Sequence, residues 1–332
     1  MKQYAKTFFH NLQQIFTPHQ QQTFKALMVL FLAATGKPLP HSSKLKSESA
    51  ISRFLNHYRW DTRELIRLSR QQITDVLQTY QGRRGRKHHL ELIVDLTTLE
   101  KRGKFKGLPG WLHVLKNARG LHLIVLCVKI GPHCFPWNFR IWNGKGSKSP
   151  TVHALRMLQA FPKTLSNGFK VRVLADGGFD AAGFIVGVHQ LGYSCIVGTR
   201  STRKTTEGKK LNQYPFRTRT IYLKNVQQDQ KPLPIYFSWV WLERNGRWEK
   251  RYVLSTEQMT PNNIRRTGRR RWTIEGVFKI CKNRFGLHHF GQHSKMGVLR
   301  YLLLSLVAYV LSHVQLEGKE RGFQTGGNWP AK

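Results

Sequence analysis

The spacing of apolar side chains divides the chain into two textures. Up to about residue 80 they recur every three or four positions. Phe24, Leu27, Met28, Phe31 and Leu32 form one such run, which stops at Gly36-Lys37-Pro38 and predicts a helix. Ser49 is placed to cap a short helix carrying Ile51, Phe54, Leu55 and Tyr58. A longer helix starting near Asp61 carries Leu65, Ile66, Ile73, Val76 and Leu77. Beyond the basic, glycine-containing stretch Gln81–His89 the pattern becomes extended. Leu90–Leu96, Leu121–Ile130, Cys134–Trp142, Phe169–Asp176 and Tyr193–Gly198 read as strands, with helices near Thr151–Ala160 and Ala181–Leu191.

Between about Arg200 and Thr256 the texture is β-type again, in the runs TIYL, PIYFSWVWLE and WEKRYVLST. The last two flank Asn245-Gly246, a tight-hairpin signal. Helices follow over Asn262–Arg284 and Val298–Val314. Without 200–256 the order is β-β-β-α-β-α-β-α, which predicts an α/β fold: a mixed sheet flanked by helices. The expected domains are a helical DNA-binding domain at 1–80 and a basic linker at 81–89. The core occupies 90–199 and 257–315, separated by the β-rich insertion 200–256, and 316–332 forms a loose tail. The apolar runs Ala26–Ala34 and Tyr301–Leu311 are shorter than the roughly 20 residues that span a bilayer, so both read as buried helices and no membrane partner is expected.

Charge narrows the partners. The 332 residues carry 55 Lys and Arg against 17 Asp and Glu, a formal net charge of +38. So large an excess implies a polyanionic partner, and nucleic acid is the first candidate. Arg63, Arg67 and Arg70 recur on one helix face, where they could hold phosphates or simply form a solvated surface. The stretches Arg200–Lys210 and Arg265–Arg271, the latter with Arg269 and Arg270, suit backbone contacts. The four cysteines are scattered, with no CxxC pair, and the start has no signal-peptide pattern, so a reducing cytoplasm is expected. His88-His89 and His288-His289 lack a matching Cys or acid cluster for metal binding. No GxGxxG after a strand, Walker A or GxSxG pattern points to nucleotide cofactors or acyl transfer.

Carboxylates inside apolar strands are informative in a chain so poor in acid. Asp95 lies near the end of LIVDL and Asp176 ends RVLAD, at strand ends where ligands sit in open α/β sheets. Either alone could be a helix cap or an arginine partner. In RRRWTIEGVFKICK, Ile274, Val277, Phe278, Cys281 and Phe285 form a core stripe. Arg271, Glu275 and Lys282 fall along one edge of it, although a wet-face Arg–Glu pair has the same spacing. Three converging carboxylates need cations. With oxygen donors only, these would be Mg²⁺ or Mn²⁺, and two such ions about 4 Å apart can cleave a phosphodiester. Arg271 and Lys282 would then contact phosphates beside the cut.

With DLT, ADGGFD and above all RWTIEGVFKICK, the chain over residues 90–312 resembles the DDE transposases of bacterial insertion sequences. The resemblance is to the subgroup with a β-rich insertion in an RNase H-like core; the three acids are separated by 81 and 99 residues. It implies that Asp95, Asp176 and Glu275 bind two Mg²⁺ ions, Mn²⁺ substituting, and that a dimer moves a DNA element by cut and paste. The partners so implied are double-stranded DNA, as terminal inverted repeats and target, in a bacterial, nucleoid-associated setting. Arg271, Glu275 and Lys282 match the family's Tyr-Arg-Glu-Lys spacing, and Lys279 adds a further cation on that helix. The tyrosine position, however, is Gly268, and the arginine that often follows the second acid is Gly177, which leaves a hairpin intermediate open. Asp180 matches a further acid of the second motif and also stands where it could cap the next helix. Trp239, Trp241 and Trp248 lie in the insertion, where relatives stack an aromatic on a displaced base; packing serves as well for each. A Mg²⁺-dependent nuclease without strand transfer, or a non-catalytic DNA-binding protein, are the alternatives.

Overall fold

The computed structural model describes residues 2–33, 45–82, 87–102, 107–115, 117–215, 217, 220–244 and 246–316. The end of the second predicted helix at Gly36-Lys37-Pro38, most of the glycine-arginine part of the linker, Asn245 and the tail beyond 316 lie outside them. The chain divides into two compact units.

The first unit comprises Met1–Thr79, Thr98–His122 and Gly276–Lys332. Helices α1 (Lys2–Gln13), α2 (Pro18–Ala33), α3 (Glu48–Asn56) and α4 (Thr62–Gln78) precede the sheet in sequence. Ser47, rather than the expected Ser49, caps α3 by accepting a hydrogen bond from the Ala50 amide. Asp61 caps α4 through the Arg63 and Glu64 amides. Phe16 stacks on Phe24 and lies against Phe54 and Trp60, closing a small aromatic core. All four helices pack on α10 (Lys295–Leu316). This helix is longer than its apolar run suggested. Lys295–His313 is apolar enough, by length and composition, to cross a membrane, and most of that stretch is buried. A helix that is apolar on all sides is what a bundle core requires.

One cation sits in that core. Arg300 is 4% exposed, and its Nη1 donates to the carbonyls of Phe54, Leu55 and Tyr58 while its guanidinium lies 4.2 Å from the Trp60 ring. It thus satisfies the free carbonyls at the C-terminal end of α3. Arg300→Met should destabilise this unit by about 3 kcal/mol, because the Leu55 and Tyr58 carbonyls lose this buried donor while that of Phe54 keeps the Trp60 indole. Denaturant unfolding followed by helical circular dichroism would measure the loss.

The second unit comprises Tyr80–Thr97 and Leu123–Glu275. Strands β1 (His89–Glu100) and β3 (Ala118–Ile130) run on from it into the first unit, where β2 (Leu112–Leu115) pairs antiparallel with the start of β3. The other strands are β4 (His133–Trp142), β5 (Lys170–Ala175), β6 (Ser194–Thr199), β7 (Ile221–Gln228), β8 (Lys231–Arg244) and β9 (Arg247–Ser255). Their order is β3-β1-β5-β6-β9-β8-β7, with β4 beside β3. β5 is parallel to both β1 and β6, aligning Val94 with Ala175 and Ala175 with Val197. This is the mixed, RNase H-like sheet expected.

The β-rich segment continues that sheet: β9 pairs antiparallel with β6, Thr199 opposite Tyr252. Beyond this pairing β8 and β9 extend as a ribbon as far as Arg244 opposite Arg247. Helices α5 (Pro150–Gln159), α6 (Lys163–Ser166) and α7 (Ala182–Gln190) connect β4, β5 and β6, and α8 (Pro261–Arg270) packs on β5, β6, β8 and β9. The single helix expected over Asn262–Arg284 is two, α8 and α9 (Thr273–Asn283). At the break the amides of Trp272, Ile274 and Glu275 each bond three residues back, to Arg269, Arg271 and Trp272. The apolar stripe begins at Ile274, just past this tightened turn, so periodicity alone did not reveal it.

Candidate active site

Residues 91, 93, 95 and 97 of β1 share one face of the strand, and three of them, Glu91, Asp95 and Thr97, are buried polar groups. The partners of Glu91 and Asp95 come from the end of α8. Arg270 donates to Glu91 at 2.6 Å and Arg271 donates to Asp95 at 2.7 Å. The second Nη of Arg271 donates to Glu275 at 3.0 Å, so one guanidinium bridges the first and third acids. The Leu96 amide donates to the other Asp95 oxygen at 2.8 Å.

Asp176 ends β5 and turns the chain into a short 3₁₀ helix, Gly177–Phe179, accepting the Gly178 amide at 2.9 Å. The turn lies hard against the end of β6, where a Cβ on Gly198 would come within 3.1 Å of the Gly177 nitrogen. Burial pushes the Asp95 carboxyl up to about 6. Arg271 opposes this, Asp176 adds to it, the Leu96 amide opposes it and Glu275 adds to it. Asp95 is therefore crowded by negative charge and relieved by a cation, and the groups around it are oxygen donors. That donor chemistry fits Mg²⁺ or Mn²⁺. Among the described residues no three acidic, histidine or cysteine side chains are already grouped as a metal cage. Arg271 stands as the cation between two of the acids.

The remaining basic residues separate by environment. Arg271, expected on a phosphate, has a side chain only 15% exposed and is held by the two acids; Arg270 is committed to Glu91. Lys282 donates to the Thr98 carbonyl at 3.0 Å, and burial lowers its pKa against the pull of Glu100. Arg269 and Lys279 are exposed. On α4, Arg63 is exposed, Arg67 is exposed and forms a bidentate pair with Glu64, and Arg70 is half-buried. Trp239 is buried between Phe237 and Tyr252, whereas Trp241 and Trp248 are 48% and 60% exposed.

One sequence reading changes. Asp180 does not cap α7, whose N-cap is Ala181; its carboxylate accepts the Thr199 hydroxyl instead, with Arg203 3.9 Å away. Gly268 lies close on β9: a Cβ there would stand 3.0 Å from Val253 Cγ1, so a larger residue would need Val253 to give way. Glu91 escaped sequence reasoning, although its even spacing from Asp95 was a usable signal.

No curated protein matches the chain. Among solved structures, the piggyBac transposase in its synaptic complex with hairpin DNA superposes with a TM-score of 0.52 at 12% identity. The match covers 92% of this chain and 68% of that one, a similarity of fold. Residues 86–311, a span that includes β1 and reaches into α10, match the transposase DDE domain, and the chain belongs to that family.

Proposed function

We propose that this chain is the cut-and-paste transposase of a bacterial insertion sequence. It cleaves DNA at the element's terminal inverted repeats and joins the ends to target DNA, acting as a homodimer at the nucleoid of the cytoplasm. The observation that carries this reading is the buried Asp95, bridged to Glu275 by Arg271 and repelled by Asp176. Asp95, Asp176 and Glu275 would hold two Mg²⁺ ions, or Mn²⁺, whose chemistry is to activate a water or 3′-hydroxyl and stabilise the leaving oxygen.

The chain's own groups prepare that site. The Leu96 amide fixes one Asp95 oxygen, and the Gly178 amide orients Asp176. Arg271 compensates Asp95 and Glu275 in the metal-free protein and, released from them, can reach a phosphate oxygen. Arg269, Lys279, Arg63 and Arg67 supply exposed positive charge for the DNA backbone. Stacking on a displaced base falls to Trp241 or Trp248, since Trp239 is already packed. With Gly268 at the tyrosine position, any hairpin step proceeds without that phenol.

Incubating the purified chain with uncut or pre-cut element ends, supercoiled plasmid and Mg²⁺ should give joined products. Cleavage of uncut ends without joining would make the protein a nuclease, and neither activity would make it a DNA-binding protein only.

A further inference from the structure

Four residues past the second acid, Asp180 keeps a carboxylate with a side-chain exposure of 6%, in a chain that has 17 acidic residues in all. A buried carboxylate is costly unless its surroundings compensate it. Its Oδ2 accepts the Thr199 hydroxyl at 2.5 Å, and its Oδ1 is buried without a hydrogen bond, facing Arg203 Nη1 at 3.9 Å. The same Nη1 donates to the Asp180 carbonyl at 3.4 Å.

The stretch between the two acids is Gly177-Gly178-Phe179. Gly177 and Gly178 are exposed and have no side chain to anchor them, and glycine gives up more conformational freedom on folding than any other residue. Yet Asp176 takes its orientation from this stretch, through the Gly178 amide. What holds the turn lies at its two ends. At the start, Ala175 pairs with Val197, and Gly177 lies so close to Gly198 that a Cβ on Gly198 would stand 3.1 Å from the Gly177 nitrogen. At the far end, Phe179 is 2% exposed, with its ring centre 5.7 Å from that of Phe184. Beside it Asp180 is tied to Thr199, the last residue of β6. Asp180 is thus the polar clamp on a turn whose middle cannot hold itself.

We propose that Asp180 is a positioning residue for Asp176: by holding Thr199 it fixes the glycine turn, so that the Asp176 carboxylate stands ready for a divalent cation. This rests on the three acids being the metal site. A carboxylate that must meet an ion needs its own orientation fixed, and groups that do this without touching the ion contribute about 10–100-fold to metal affinity. Asp180 acts one step further back, through the turn and the Gly178 amide, so its effect falls at the lower end of that range. Arg203 shares in the clamp. It offsets the buried charge and roots the basic stretch that follows β6, where the Leu211 amide donates to the Arg203 carbonyl at 3.1 Å.

The test uses the full chain and Mn²⁺, titrated calorimetrically in the absence of DNA. Thr199→Val, which replaces the hydroxyl by a methyl group, should bind Mn²⁺ about tenfold more weakly than wild type. Thr199→Ser, which keeps the hydroxyl, should bind as wild type does. A role confined to stability would move the melting temperature of Thr199→Val and leave its Mn²⁺ affinity alone, and that result would overturn the proposal. Should Thr199→Val fail to melt cooperatively, Asp180→Asn takes its place. Its neutral amide makes a weaker bond to Thr199 and no longer attracts Arg203, so Mn²⁺ must bind more weakly or the proposal falls. A wild type that takes up no Mn²⁺, or takes it up no better than Asp176→Asn, overturns the metal reading of the three acids and the proposal with it. Mn²⁺ lost in Asp176→Asn but bound equally by wild type and the clamp variants overturns the proposal alone.

Discussion

Asp95→Asn should lower Mg²⁺-dependent DNA cleavage by a factor on the order of 10³ while raising the stability of the metal-free protein at pH 8. The two effects share a cause. The folded carboxyl titrates at about 6 against an ordinary 3.8, chiefly because it is buried. A carboxyl raised by folding favours the folded state fully below its unfolded pKa, and that contribution is lost as pH rises through the folded value. Above pH 7 the ionised Asp95 therefore costs the apoprotein about 2–3 kcal/mol relative to a neutral group of the same shape. The amide removes that cost and keeps one acceptor oxygen for the Leu96 amide, while the acceptor that Arg271 uses is given up and Arg271 keeps Glu275. In EDTA, melting curves of wild type and Asp95→Asn should lie close together near pH 4 and separate by a few degrees at pH 8, the variant being higher. Adding Mg²⁺ should raise the wild type more than the variant, since an ion that binds only the folded state stabilises it by mass action. A variant that melts lower than wild type at pH 8, or cleaves normally, would remove Asp95 from the site.

How much of this was visible in the sequence depends on the length scale of each feature. Long periodic runs placed α2, α4, β1, β3 and α10, because burying a whole face demands a repeated pattern. The four-residue β2 and α6 are too short to build one. The break at Arg271-Trp272 escaped for a related reason, since it alters a single turn of backbone bonding beside an unbroken apolar stripe. At the site, scarcity of acid made Asp95, Asp176 and Glu275 conspicuous. What the neighbouring arginines do was not legible. Arg269, Arg270 and Arg271 are identical in composition and adjacent in sequence, yet one is exposed, one neutralises Glu91 and one bridges Asp95 to Glu275. That division follows from how α8 packs on β5, β6, β8 and β9, which brings distant parts of the chain together. Asp180 is similar: its hydroxyl partner at Thr199 is brought near by the pairing of β5 with β6, and only the fold supplies it.

The same three arginines allow the charge argument to be tested residue by residue. With a net charge of +38 and exposed cations on α4, α8, α9 and the loop at Lys204, Lys209 and Lys210, six or more phosphate contacts are expected, and duplex affinity should fall about 10³-fold or more between 50 and 200 mM salt. A flat dependence would mean that the excess charge serves something other than DNA. Within that slope, Arg269→Gln should reduce the exponent by about one and leave the melting temperature unchanged, because the side chain is exposed. Arg270→Gln should do the reverse. Its guanidinium neutralises a carboxylate that is itself 4% exposed, and removing it leaves Glu91 buried without that partner, at about 3 kcal/mol. Fluorescence anisotropy across a salt series, beside denaturant melts of the same samples, separates the two outcomes. If the two variants behave alike, α8 does not lie across the sheet as described, and the assignment of Arg271 to Asp95 and Glu275 fails with it.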